Sequence, residues 1–493
     1  MSGEKLRMRT KLGFGVGSSA DGAILLAFNT WNFLFYNQVL GLSGTLAGLA
    51  VTISLVLDGV SEPLIGSLSD RWRSKLGRRH PFLYAAPIPL AISFYLLFSP
   101  PPGLHGIPLF LWFTVFATLH RQALTLYQIP HLALGAELTQ DYHQRSVVMS
   151  YAATFGVLAG ATTFFYGWTW FSHVEGGTSV RHAYPGMAAG VALVAALAIF
   201  ASAALTRDRV PYLTQPKGAP QRFSLKEMTR EIAGCLRNHN FRMVLLGLFF
   251  LSATTGVRET IHSYVSLFFW ELPAAKIRVF GLVTPPAFIL AFVLTVSLHR
   301  RFEKRNTILG SIVLMVLASA VPVGMRLLGL LPPNDTAPLI GILMLATFVF
   351  YFGFAVHLIS ILSVLADVAD EHELSTGKRQ EGIFVAARTF FSKLSTGFGH
   401  ILAGAAIDLI HFPTGAKPGE IAPATINQLA IMDGWVAAIP TLIAMYFYSR
   451  YQIDRRRLLE IQVQLEQRRS SAPPASPVRG GDAAVAAVEP AAI

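Results

Sequence analysis

Twelve long stretches of mostly apolar residues recur along the chain, and they constrain its fold more than any other feature. A helix that crosses a membrane needs about 20 such residues. Several of the stretches are longer than a bilayer requires, which predicts tilted or kinked helices. The predicted spans are 14–40, 46–69, 81–99, 107–135, 146–171, 184–205, 241–268, 278–298, 306–331, 337–365, 381–410 and 427–449.

The composition is that of a membrane protein. Of the 493 residues, 53% are hydrophobic and 14% are charged, and the mean hydropathy is +0.49. An average soluble protein has about 25% charged residues, so a soluble chain of this composition could not cover its surface with polar groups. A disordered chain, a secreted disulfide scaffold and a cytosolic enzyme are therefore excluded. The single cysteine, Cys235, permits neither a disulfide within the chain nor a cysteine-clustered metal site.

Lysine and arginine are distributed unevenly between the two ends of the predicted spans. With a cytoplasmic N-terminus, most of the 40 basic residues fall in the tails, the central linker and the cytoplasmic loops. The loops on the opposite side contain Arg181, Lys276, Arg278, Arg326 and Lys417. Because cytoplasmic loops collect Lys and Arg, we expect both termini to lie on the cytoplasmic side. The membrane is expected to be a bacterial inner membrane or a plasma membrane. The same bias explains the net charge of +12, and we expect no nucleic-acid partner.

The order of spans and polar segments predicts two halves. We assign 1–13 to a cytoplasmic N-terminal tail, 14–205 to an N-terminal six-helix half and 206–240 to a cytoplasmic linker. Residues 241–449 form the C-terminal six-helix half, and 450–493 form a cytoplasmic tail that we expect to be disordered at its end. Two such halves around a midplane cavity are typical of secondary transporters. No P-loop, zinc-protease or nucleophile-elbow motif is present, so we expect neither an enzyme nor a cofactor or resident metal.

Asp58 and Glu62 lie four residues apart in the second span and therefore share one helix face. Ionisable groups at membrane depth are costly unless they are paired or hydrated, and they usually mark a transport pathway. Two neighbouring carboxylates suit Na⁺, which prefers oxygen ligands, and they equally suit a proton, since like charges raise one pKa. The alternative is a structural ion pair with Arg121 or Lys393.

The loop after the second span contains a candidate gate. Its sequence places Asp70 and Arg71 four residues after Gly66, followed by Arg78 and Arg79. A carboxylate there can accept hydrogen bonds from an arginine or a helix N-terminus, and such contacts form in one access state and break in the other. The alternative is that the basic loop only sets the orientation of the protein.

This loop resembles the cytoplasmic signature of the major facilitator superfamily. The spacing between Arg71 and Gly77 is longer than in the superfamily at large, and this longer form resembles one branch, the glycoside–pentoside–hexuronide:cation symporters. The segment 366–399 also resembles the cytoplasmic loop 10–11 of that branch and the helix after it. The resemblance implies that Asp58 and Glu62 bind the cation and that Lys393 faces and balances that site. It also implies that Asp367, Asp370 and Glu373 belong to an acidic gate motif. The alternative for Lys393 is that its side chain extends to the membrane interface.

The fourth span departs from the resemblance. Melibiose-type carriers have an aspartate where this chain has Gln128, and their span-5 arginine aligns near Ala153. The loss of a carboxylate–arginine pair predicts a substrate other than melibiose, although Gln128 can still donate and accept hydrogen bonds.

Other polar and aromatic residues within the spans are candidates for a substrate cavity. Aromatic residues at helical spacing are more often packing residues, and each buried charge needs a partner. The full candidate set is Asp21, Trp31, Asn32, Arg121, Tyr127, Gln128, Tyr151, Arg258, Glu259 and Arg388.

We therefore predict an all-α polytopic membrane protein with the twelve-helix major-facilitator fold. The predicted function is symport of a sugar, glycoside or similar small polar solute, coupled to Na⁺ or H⁺, by alternating access. We expect a monomer in the lipid bilayer with a small-molecule solute as its partner. One alternative is a carrier of a lysophospholipid or another amphiphile, and a second is a non-transporting sensor on the same fold.

Overall fold

The computed structural model describes residues 6–139, 141–213, 230, 233–377 and 381–471. Within these ranges the chain is helical and contains no strand. The helices of the N-terminal half are α1 (Met8–Phe33, continued by a π-helical segment at Leu34–Val39), α2 (Gly44–Arg71), α3 (His80–Ala85), α4 (Pro87–Leu97), α5 (Gly106–Glu137), α6 (Tyr142–His173) and α7 (Ala183–Thr206).

The C-terminal half repeats this pattern of long helices. Its helices are α8 (His239–Tyr264, continued by a π-helical segment at Val265–Phe269), α9 (Ala274–Ile277), α10 (Thr284–Leu327), α11 (Ala337–Thr376), α12 (Glu381–Leu409), α13 (Pro423–Ile431), α14 (Ala438–Ser449) and α15 (Arg455–Ser471). Short 3₁₀ turns lie at Gly177–Ser179, Arg207–Tyr212 and Arg278–Leu282, and a π-helical segment at Met432–Val436 joins α13 to α14.

Side chains at the helix ends explain several boundaries. Ser43 accepts a hydrogen bond from the Leu46 backbone N–H at the start of α2, and Asp141 accepts one from Gln144 at the start of α6. Asn238 caps α8 in the same way. Ser, Asp and Asn are favoured at this position because their oxygens satisfy otherwise unpaired N–H groups.

The predicted spans 278–298 and 306–331 share the helix α10, which is broken at Glu303 with φ 63° and ψ 161°. Ala291 before the break and Ser311 after it both lie against the region of α11 around Gly353 and Ala355. The chain therefore reverses at Glu303, and the two predicted spans lie on separate arms of α10.

Eight of the described helical segments are long and apolar enough to cross a membrane by length and composition, with α10 counted as one. Helices α1, α5 and α12 fall outside this group. These three helices carry Asp21, Arg121, Arg388 and Lys393, and such charged residues reduce the apolar character of a span. The predicted spans 14–40, 107–135 and 381–410 nevertheless lie on these long helices.

The two halves contact each other closely at the end opposite to the basic loops. Gly44 of α2 and Gly404 of α12 lie so close that a side chain on Gly404 would overlap the Gly44 carbonyl oxygen. Asp408 of α12 caps α2 by accepting hydrogen bonds from the backbone N–H groups of Gly44 and Thr45 at 2.7 and 2.8 Å. Nearer the basic loops, a side chain on Gly66 would instead meet Ile129 of its own half.

Candidate functional site

Three charged side chains from the two halves meet where α2 crosses α12. The Lys393 Nζ of α12 donates to Asp58 Oδ2 at 2.5 Å and to Glu62 Oε1 at 2.7 Å. Asp58 is 5% exposed, and Glu62 is half-buried. The two carboxylates share a face because they are one helical turn apart on α2. The predicted juxtaposition of Lys393 with both carboxylates is therefore present, and the same contact is the ion pair with Lys393 that the structural alternative predicts.

A threonine that we did not predict completes this cluster. Thr125 of α5 is buried, and its hydroxyl donates to the second oxygen of Asp58 at 2.5 Å. It lies one helical turn after Arg121, so the spacing on α5 could have identified it. We call Asp58, Glu62, Thr125 and Lys393 the inter-half cluster. The cluster places two carboxylates against one ammonium, so it contains one more acidic group than basic groups.

Arg121 does not form the alternative ion pair with these carboxylates. It is 5% exposed, and its guanidinium carbon lies 4.7 Å from the centre of the Phe28 ring. Among the described residues it has no ion-pair partner, and its Nε has no hydrogen-bond acceptor. A buried guanidinium with unused donors can bind hydroxyl or anionic groups of a solute.

A second charged cluster lies within the C-terminal half. Arg258 of α8 donates to Ser319 Oγ at 2.5 Å and lies 4.0 Å from the Asp433 carboxylate. His262 is 3.5 Å from the other oxygen of Asp433, and the Arg258 guanidinium lies 4.2 Å from the Phe350 ring centre. We call Arg258, His262, Ser319 and Asp433 the C-half cluster. Asp433 was not predicted, although an acidic residue within the predicted span 427–449 was a signal that could have identified it. It supplies a carboxylate partner for Arg258.

Two other candidates have separate surroundings. Glu259 lies 3.4 Å from His400 Nε2 of α12, and the other ring nitrogen of His400 lies 2.7 Å from Thr260 Oγ1. Arg388 is half-buried on α12, and its Nε has no hydrogen-bond partner among the described residues.

The aromatic candidates are not placed as a substrate-cavity lining requires. Trp31 is fully buried, with ring centres of Trp168 and Phe171 at 6.2 and 6.0 Å. Tyr127 is also fully buried and stacks on His131. Both rings pack inside the N-terminal half because large apolar surfaces are favoured in its core.

The side chains of Asn32 and Tyr151 also contact other residues of the N-terminal half. The Asn32 amide donates to the Phe28 carbonyl of its own helix at 2.5 Å, and the Tyr151 hydroxyl lies 3.6 Å from Met8 Sδ at the basic end. Asp21 and Gln128 are half-buried, and one carboxylate oxygen of Asp21 is enclosed without a hydrogen-bond partner among the described residues. Asp21 and Gln128 therefore remain candidates for solute contact.

The gate residues form two clusters, one in each half. Arg79 donates to Asp70 at 2.5 Å and to Glu137 of α5 at 2.8 Å, and Arg78 also pairs with Glu137 at 2.9 Å. Asp70 thus accepts a hydrogen bond from an arginine, as predicted. The pairing of both arginines with Glu137 was not predicted.

In the C-terminal half, Lys304 pairs with Asp367 at 2.6 Å. Arg71, Asp370 and Glu373 lie at the same basic end of the molecule. The ion pairs of Asp70 and Asp367 therefore connect elements within a half in this conformation, and neither joins the two halves.

A family described as MFS/sugar transport protein matches residues 13–455 of the chain. The chain belongs to this family. The match includes all twelve predicted spans, so the predicted all-α major-facilitator fold and the resemblance to the symporter branch are both confirmed.

Individual relatives agree with this membership of the MFS/sugar transport family. The isoprimeverose transporter of Lactiplantibacillus pentosus is 25% identical over 454 residues, which cover 90% of each chain. The inner membrane symporter YicJ of Escherichia coli is 25% identical over 479 residues, covering 95% of this chain and 96% of the relative.

A solved structure shows the same fold. The inward-open conformation of the xylose transporter XylE from E. coli superposes with a TM-score of 0.61, covers 92% of this chain and 98% of its own, and is 14% identical. The chain is therefore a multi-pass membrane protein built like the transporters of this family.

Proposed function

We propose that this protein is a symporter that moves a sugar, a glycoside or a similar small polar solute together with Na⁺ or H⁺. The observation that carries the proposal is the inter-half cluster, in which Lys393 of one half holds Asp58 and Glu62 of the other. Membership of a sugar-transport family supports the solute class.

The position of the cluster links cation binding to movement. In alternating access, one half moves relative to the other around a fixed site. A cation that binds Asp58 and Glu62 competes with Lys393 for the same oxygens. Cation occupancy therefore weakens a tie between the halves, and this differential interaction can shift the equilibrium between two access states.

The solute site is proposed to adjoin this cluster. Arg121 lies one helical turn from Thr125 on α5, and Gln128 follows on the next turn, so the helix connects the cation site to polar groups with unused donors. Asp21 of α1 and Glu259 of α8 offer acceptors. Sugar hydroxyl groups both donate and accept, and such a mixed set suits them.

The basic end is proposed to face the cytoplasm, in agreement with the distribution of Lys and Arg. Because the halves are joined at the opposite end by Gly44, Gly404 and Asp408, this conformation would be accessible from the cytoplasm. The clusters of Asp70 and Asp367 would then exchange partners when the basic end closes. One chain supplies every residue of the cation site, so we expect a functional monomer.

Cation movement in proteoliposomes tests the proposal. The purified full chain would be exposed to disaccharides, glucuronides, pentosides and lysophospholipids while pH and Na⁺ electrodes record the medium. We expect at least one sugar to drive H⁺ or Na⁺ entry, and we expect Asp58→Asn to abolish that entry. Glu175→Gln is the control, because Glu175 is an exposed acid remote from the cluster.

The outcomes separate the functions. A response to a sugar that persists in Asp58→Asn would overturn the assignment of the cation site. A response to a lysophospholipid with none to any sugar would overturn the solute class and favour an amphiphile carrier.

A further inference from the structure

A basic cavity of about 530 Å³ lies entirely within the C-terminal half, away from the inter-half cluster. It is bounded by the break in α10, by the end of α11 and by the residues that lead into α15. Its lining contains five basic residues, Arg300, Arg301, Lys304, Arg305 and Arg455, against three acidic residues, Glu303, Asp367 and Asp454. The proposed transport mechanism uses Lys304 of this set through its pair with Asp367, and it leaves the four arginines without a role.

The walls of this cavity are fixed by packing. The reversal at Glu303 places the arginines on both sides of a single-residue break. On the other wall, Asp454 caps α15 by accepting a hydrogen bond from the Arg457 N–H at 2.8 Å. Ile461 and Leu465 of α15 are buried in the core of the C-terminal half. The cavity is therefore a built feature rather than a gap between loose loops.

The charges around the cavity are not balanced. Lys304 is neutralised by Asp367. Arg300, Arg301, Arg305 and Arg455 have no ion-pair partner in the described part of the chain. Arg455 is the first residue of α15 and directly follows the capping carboxylate of Asp454. This concentration of positive charge favours a bound anion.

We propose that this cavity binds a phosphate group, either from the headgroup of an anionic phospholipid or as free phosphate. The planar guanidinium group of arginine matches phosphate oxygens with two parallel hydrogen bonds. Leu459 and Val463 of α15 line an adjoining groove that shares Glu303 and Arg455 with this cavity, and both side chains are about half exposed. These apolar side chains suit the acyl region of a lipid. A role in orientation alone requires basic charge at this end but does not require the arginines to line one cavity.

Native mass spectrometry of the full chain in detergent tests this proposal with dioleoyl phosphatidylglycerol, dioleoyl phosphatidylcholine and inorganic phosphate as probes. We expect phosphatidylglycerol to be retained in preference to phosphatidylcholine. The variant Arg300→Gln/Arg455→Gln should bind it about 25-fold more weakly, since each basic residue near an anionic headgroup changes affinity about fivefold. The matched control is Arg73→Gln/Lys75→Gln, which removes the same charge from exposed positions at the same end.

Each outcome decides the proposal or its source. Loss of phosphatidylglycerol binding in the cavity variant alone supports a lipid headgroup. Binding of inorganic phosphate that is lost in the same variant, without a lipid preference, supports a free phosphate. Equal binding of every probe by the wild type, the cavity variant and the control would overturn the proposal. Because these readouts do not involve transport, they are independent of the proposed symport.

Discussion

The two charged clusters inside the helix bundle differ in how their members are distributed. The inter-half cluster takes its carboxylates from α2 and its ammonium from α12, with N–O distances of 2.5 and 2.7 Å. The C-half cluster lies within one half, and Arg258 is 4.0 Å from Asp433. In the proposed mechanism, movement of the halves would stretch the first cluster and leave the second unchanged. The proposal therefore assigns coupling to the cluster that bridges the two halves and a structural role to the cluster that lies within one half.

The largest expected effect concerns the inter-half cluster. Moving one elementary charge across a membrane potential of about 100 mV releases about 2.3 kcal/mol, and this energy supports about a 50-fold solute gradient when one charge is coupled to each solute. Asp58→Asn should lose this entire gradient, since the cation can no longer contribute its energy. Steady-state uptake of the responding solute into energised vesicles measures it, with Glu175→Gln as the control. A gradient equal to that of the wild type would refute the role of Asp58.

The next largest effect is expected at the Gly44–Gly404 contact, where it tests whether the two halves move relative to each other. Gly404→Val places a side chain against the Gly44 carbonyl, and such overpacking costs about 1–3 kcal/mol. The closed contact at that end should become about tenfold less populated. Gly341→Val is the matched control, because nothing lies near an added side chain at Gly341.

Cysteine labelling measures this shift. Ser263 is buried beside the Thr30 carbonyl of the other half, so Ser263→Cys in a Cys235→Ala background reports opening there. A membrane-impermeant maleimide should react about tenfold faster in the Gly404→Val background. Unchanged labelling would show that this glycine contact does not hold the halves together.

A smaller effect concerns Thr125. A hydrogen bond to a charged group contributes about 1.5–3 kcal/mol, so Thr125→Ala should raise the cation concentration for half-maximal transport by about tenfold or more. Thr125→Ser keeps the hydroxyl and should remain close to the wild type. If serine and alanine weaken cation dependence equally, the methyl group rather than the hydroxyl is responsible, and Thr125 is a packing residue.

The smallest effect on coupling is expected at Asp433. Asp433→Asn leaves Arg258 without its carboxylate, so it should lower the free energy of unfolding by about 1–3 kcal/mol while the solute gradient persists. Thermal unfolding and vesicle uptake of the same preparation measure the two quantities. Loss of the gradient in a folded protein would make the C-half cluster part of the coupling mechanism. The inter-half cluster and the C-half cluster would then not differ in function.

Sequence patterns predicted the helices better than the contacts between them. The predicted spans lie on helical segments, some of them interrupted, because an apolar run of sufficient length has few other structures available in a membrane. The pairing of Lys393 with Asp58 and Glu62 was predicted through family resemblance, since nothing in the local sequence connects residues so distant along the chain. Trp31 and Tyr127 were predicted as cavity residues and instead pack in the core, because helical spacing alone does not separate a lining face from a packing face.

By itself, the sequence determined that this protein is a two-halved, all-helical membrane protein with basic residues gathered at one end. Those properties depend on the lengths of the apolar runs and on the number of Lys and Arg residues in each loop, and both can be determined from short stretches of sequence. Only the tertiary structure decided that Thr125 joins the inter-half cluster, that Asp433 supplies the partner of Arg258, and that four arginines line one cavity. Those relations depend on which faces of separate helices meet, and helix packing sets them over distances that no local pattern encodes.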